Sequence, residues 1–106
     1  MTETLDSALK ARLRTILNRR QPVTEAELRT LAEQGEACAL IIRAQFERAK
    51  ERLDVLEADP GSSIAEIADT LREVRELGAD LEELDALLAG LDQRARELRA
   101  RWVETL

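Results

Sequence analysis

Apolar residues recur along most of this chain at alternating intervals of three and four. From Leu28 the series runs through Leu31, Gly35, Cys38 and Ile42, and after one four-residue step continues through Phe46, Ala49, Leu53 and Leu56. A second series runs Ile64, Ile67, Leu71, Val74, Leu77, Leu81, Leu84, Leu88, Leu91, Ala95, Leu98 and Trp102, with one extra three-residue step between Val74 and Leu81. Such spacing keeps one face of a helix apolar and predicts two long helices with a coiled-coil-like seam. A shorter segment, with Leu5, Ala8, Leu9, Leu13, Ile16 and Leu17 on one face, predicts a third helix before them.

Boundaries follow from local chemistry. Thr24 with Glu27 three residues on is a helix-capping box, and Pro22 just upstream stops what precedes it. Ser63 with Glu66 repeats the device directly after Asp59, Pro60, Gly61 and Ser62, a run of turn-forming residues. "LEADPGSSIAEI" therefore holds a stop, a turn and a new start. The expected helices cover residues 5–19, 25–58 and 64–103, and Gly35 is the one place where the second could break in two.

Folding the chain back at Gly61 opposes the irregular step near Ile42 and Phe46 to the one near Leu77 and Gly78, a stutter facing a stammer. The only phenylalanine, Phe46, should fill the space that Gly78 leaves. The first helix, about 22 Å long, can cover only half of the hairpin. It should lie on the half built from Leu28–Cys38 and Leu88–Trp102, where Ala32, Gly35, Ala39, Ala86 and Ala89 are small enough to admit it and Leu87 beside Leu88 widens the apolar face. Trp102, last on the seam, is expected to pack on that helix. The architecture predicted is all-α: a short N-terminal helix packed on a long antiparallel helical hairpin, a single helical domain over 1–106 that completes a bundle by dimerisation.

Composition sharpens this picture. Only 2% of the 106 residues are aromatic and 36% are charged, so Leu, Ile, Val and Ala must build the core, as in helix bundles. At this length a helical chain is close to needing a partner to bury its apolar faces. The absence of histidine and tyrosine, with a single cysteine, removes the usual nucleophile and acid–base pairings. Cys38 lies on the seam among Gly35, Ala37 and Ala39 and reads as a small apolar core residue. No cofactor motif is present: Gly35, Gly78 and Gly90 lack the strand–turn–helix setting of a phosphate loop and read as close-packing positions. The N-terminal "MTETLDSALK" has neither a basic nor an apolar stretch, and no apolar run approaches the length of a membrane span, so the expected location is cytoplasmic.

Charge is unevenly placed. Glu66, Asp69, Glu73, Glu76, Asp80 and Glu83 form an acidic stripe on the outward face of the third helix, a candidate docking strip for a basic partner; a di-metal site is disfavoured because bundle sites of that kind point inward and pair Glu with His. Lys10, Arg12, Arg14, Arg19 and Arg20, with Arg94, Arg96, Arg99 and Arg101, gather at the open end of the hairpin as a candidate basic patch. The net charge of −6 argues against nucleic-acid affinity for the chain as a whole and confines any such site to this patch.

The functional expectation is a non-enzymatic protein–protein interaction module, an adaptor, small chaperone or regulator acting through helix–helix docking. Near the turn only two helices are available, so Ile41, Ile42, Phe46, Leu53, Leu56, Ile67, Leu71 and Val74 cannot all be hidden. A second copy or another protein's helix should complete a four-helix layer there. The alternative is a nucleic-acid-associated regulator using the arginine-rich open end.

Overall fold

The computed structural model describes residues 5–19 and 24–105. Pro22 and Arg20 lie outside the described residues, as do the side chains of Leu5 and Arg19. Three helices make up 93% of the described residues, with no strand among them: α1 (Leu5–Arg19), α2 (Glu25–Ala58) and α3 (Ile64–Glu104). The protein is all-α, a short N-terminal helix and a hairpin of two extensively packed long helices.

Both caps form where their residues stand in the sequence. The hydroxyl of Thr24 accepts a hydrogen bond from the Glu27 amide at 3.1 Å, and that of Ser63 accepts one from the Glu66 amide at 3.1 Å. Each thereby satisfies one of the amides that a helix start leaves without an intrahelical partner. Between the long helices the Ser62 amide donates to the carbonyl of Asp59 at 3.1 Å, and the Asp59 carboxylate accepts from the Gly61 amide at 2.9 Å. This is a β-turn reinforced by its own aspartate. α3 ends as Thr105 donates its hydroxyl to the carbonyl of Trp102 at 2.8 Å.

The residues group into two compact units, Met1–Cys38 with Leu84–Leu106, and Ala39–Glu83. The first contains α1 and therefore three helices. Its core is made of Leu9, Leu13, Ile16, Leu28, Leu31, Cys38, Leu84 and Leu91, of which Leu13 and Leu84 are 0% exposed. Gly35 does not interrupt α2; it lies under Leu88 of α3, and a methyl group in its place would collide with that side chain. Gly90 does the same for α1: a Cβ there would sit 2.9 Å from Leu17 Cδ1. The backbone of α3 thus admits α1 at Gly90, whereas Ala86 and Ala89, expected to admit it, are exposed. Ala8 is exposed as well.

Trp102 departs from expectation. It does not pack on α1 but is 71% exposed. The reason is register: Arg99 of α3 pairs with Glu25, the first residue of α2, at 3.5 Å, so Trp102 falls almost a turn beyond the start of α2.

The unit Ala39–Glu83 contains only α2, the turn and α3. Its buried apolar side chains are Ala39, Ile42 and Ala49, small or few by comparison with the leucines of the other unit. Phe46 fills the gap at Gly78 as expected, its Cε2 standing 3.2 Å from where a Cβ would be. The Lys50 ammonium lies over the ring, 4.7 Å from its centroid. No helix of the described residues is long and apolar enough to cross a membrane.

Candidate functional site

Two helices side by side hide only the residues on the line between them; the rows that flank this line need a further layer to be covered. In Ala39–Glu83 this is visible residue by residue. On the line, Ile42 and Ala49 are 2% and 0% exposed. Beside it Leu53, Leu56, Ile67, Leu71, Val74 and Leu77 are half-buried, and Ile41 and Val55 are 61% and 68% exposed.

The flank on one side is a groove of about 760 Å3 between α2 and α3. Val55, Leu56 and Leu77 supply its apolar lining, Gln45, Arg48, Glu51 and Arg52 its α2 lip, which is net positive, and Glu73 its α3 lip. Arg52 reaches across to Glu73, its Nη2 donating to Oε1 at 2.8 Å. Both side chains of this pair stay half in solvent, so it contributes little to stability and is weakened by salt. Arg48 has no ion-pair partner among the described residues.

Heptad spacing places these lips. Ile41, Arg48 and Val55 lie seven apart on α2, and Glu66, Glu73 and Asp80 lie seven apart on α3; all six are exposed. Seven residues are close to two helical turns, so each trio forms one row along its helix. Of these rows Arg48, Val55 and Glu73 line the groove, so its α2 lip, with Arg52 and Glu51, is net positive and its α3 lip carries a carboxylate. Its chemistry is that of recognition: apolar surface at the centre, opposite charges at the two edges.

The expected interface residues divide. Ile41 is on the α2 row, and Leu56 lines the groove. Ile42 is inside the core, and Phe46, which meets both Gly78 and Lys50, is a seam residue. Leu53, Ile67, Leu71 and Val74 are half-buried along the seam. Arg48, Val55 and Leu77 were not singled out as interface residues from the sequence; Leu77 stood in the seam series, and for Arg48 and Val55, which lie off it, the interval of seven from Ile41 was the available signal.

In the acidic stripe Glu66, Asp69, Glu73, Glu76 and Asp80 are exposed and Glu83 is half-buried. Asp69 is held by Arg72 at 3.4 Å, and Glu73 by Arg52. No three His, Cys, Asp or Glu side chains among the described residues cluster so as to hold a metal ion. At the basic patch Arg96 pairs with Asp92 at 2.7 Å, Arg99 with Glu25, and Lys10 is only 6% exposed. Arg12 and Arg14 on α1 and Arg101 on α3 are exposed, and Arg94 on α3 is half-buried; Arg20 and the side chain of Arg19 lie outside the described residues. The acids Asp92 and Glu25 thus stand within this cluster and lower its net positive charge.

No protein-family model matches the chain, and no curated protein or solved structure is significantly similar to it.

Proposed function

We propose that this chain is a non-enzymatic protein–protein interaction module, an adaptor, small chaperone or regulator, that works by receiving a helical surface in the groove of Ala39–Glu83. The observation that supports this reading is the half-finished burial there: Val55 exposed, with Leu56 and Leu77 half-covered, in a groove with charged lips. Apolar surface removed from water is worth about 25 cal/mol per Å2. A few hundred Å2 of additional burial would contribute several kcal/mol before the costs of association. A groove with an apolar centre and polar edges is also how helix-in-groove recognition distributes affinity and specificity.

Carbene footprinting with mass-spectrometric readout, performed on the full chain inside cells and on the dilute purified chain, tests the proposal independently of what the occupant is. Val55, Leu56 and Leu77 should be labelled several-fold less in cells than in dilute solution, with Trp102 as an exposed reference. Equal labelling of the groove in both conditions would refute the docking role.

A further inference from the structure

The groove's two lips differ in net sign, Arg48 and Arg52 outweighing Glu51 on α2 and Glu73 standing on α3, and this selects its occupant. A helix from another protein with one dominant charge would satisfy one lip and be repelled by the other. A second copy of the same face offers both signs at once. Resting on the docking role proposed above, we infer that the groove of Ala39–Glu83 is occupied by the same face of a second copy of this chain, with α2 of each laid over α3 of the other.

The relative orientation follows from the charges. Two flat two-helix layers can meet face to face about a twofold axis that lies in the interface and runs either along the helices or across them. An axis across the helices sets α2 over α2 and α3 over α3. Arg48 and Arg52 would then face arginines, and the row of Glu66, Glu73 and Asp80 would face carboxylates. An axis along the helices sets α2 over α3 and brings each arginine lip onto a carboxylate lip.

Register agrees with the second arrangement. Phe46 opposite Gly78 and Arg52 opposite Glu73 fix which residues of α2 and α3 share a level. Rotation about an axis parallel to the helices leaves levels unchanged. Counted from those two pairs, Arg48 is level with Glu76, between Glu73 and Asp80, and in the assembly it lands on the corresponding residues of the other copy. Twenty residues of helix span about 30 Å, and two helices side by side are about 20 Å wide. The face is then about 600 Å2, or about 1,200 Å2 for the pair, at the lower edge of stable interfaces. A reversible dimer is the expected result, one whose dissociation can be followed by dilution.

Light scattering after size exclusion, on the purified full chain over a tenfold concentration range, should show the mass rising from 11.9 kDa toward twice that value. Arg48→Glu and Glu73→Arg should each weaken self-association at least tenfold while leaving helicity unchanged. An equimolar mixture of the two should associate more tightly than either variant alone, because the acid introduced at position 48 of one copy then faces the arginine introduced at position 73 of the other, although Arg52 keeps its charge in both. Spin labels at Ser62→Cys in a Cys38→Ala background should lie about 20 Å apart, since both turns are at the same end; turns at opposite ends would be about 30 Å apart or more.

A chain that stays monomeric at every concentration, a dimer indifferent to Arg48→Glu, or turns found at opposite ends would overturn the inference. A monomer in solution whose groove is nevertheless protected in cells removes the second copy and leaves the docking role standing. Equal labelling of the groove in the cell and in dilute solution removes the docking role itself.

Discussion

Gly35 and Gly78 both face a side chain of the opposite helix, yet replacing them by alanine should have opposite consequences. In a helix interior alanine is favoured over glycine by about 1 kcal/mol, because glycine loses more backbone freedom on folding. Both substitutions gain this amount. At Gly78 the new methyl would be 3.2 Å from Phe46 Cε2, so the ring needs to withdraw only by a few tenths of an ångström, and Phe46 is not fully enclosed. At Gly35 the methyl would overlap Leu88 Cδ2 outright. Overpacking costs about 1–3 kcal/mol, and Leu88, half-buried and met at the end of its side chain, should fall toward the low end of that range. Gly78→Ala should therefore be neutral or up to about 1 kcal/mol more stable than the parent, and Gly35→Ala neutral to about 2 kcal/mol less stable. Urea unfolding followed by circular dichroism measures the difference from the shift in midpoint, provided the slope is unchanged. Adding Leu88→Ala makes room for the methyl, so the double mutant should be more stable than the sum of the single changes by about 1 kcal/mol or more. Gly35→Ala as stable as Gly78→Ala, or a Leu88 effect indifferent to residue 35, would refute the close-packing account.

Further expectations concern caps, core and the open end. Thr24→Ala and Ser63→Ala should each cost about 1 kcal/mol, the loss of one capping hydrogen bond, read from the same unfolding curves. Leu84→Ala, at a site with no exposure, should cost about 2–5 kcal/mol, while Val55→Ala in dilute solution should change stability by less than about 0.5 kcal/mol; similar costs for the two would contradict the burial described. Trp102 should be quenched by acrylamide almost as readily as free tryptophan, and strong shielding would place it in a packed interface instead.

The elements themselves were legible in the residues because their causes are local. A threonine or serine three residues before a glutamate, and an Asp-Pro-Gly turn, fix a helix boundary through hydrogen bonds made within four residues. The pairing of Phe46 with Gly78 was legible too, since one irregular step in each seam and one turn suffice to set the register. Trp102 was misplaced because periodicity states which side of a helix a residue is on and not whether another helix extends far enough to meet it. Likewise Ala86 and Ala89 were small enough to admit α1, but Gly90 faces it, a choice that depends on how α1 is rotated and seated.

The groove shows the same division. Its ingredients, a row of Ile41, Arg48 and Val55 and a row of Glu66, Glu73 and Asp80, are present in the sequence as intervals of seven. That Arg48 and Val55 of the one row and Glu73 of the other border one groove, joined by Arg52 and Glu73, depends on which flank of α2 adjoins which flank of α3. By itself the sequence determined three helices, their ends and their apolar faces, because backbone hydrogen bonding and side-chain period act over a few residues. Only the tertiary structure decided which apolar residues remain uncovered, because burial is a property of neighbours that are distant along the chain.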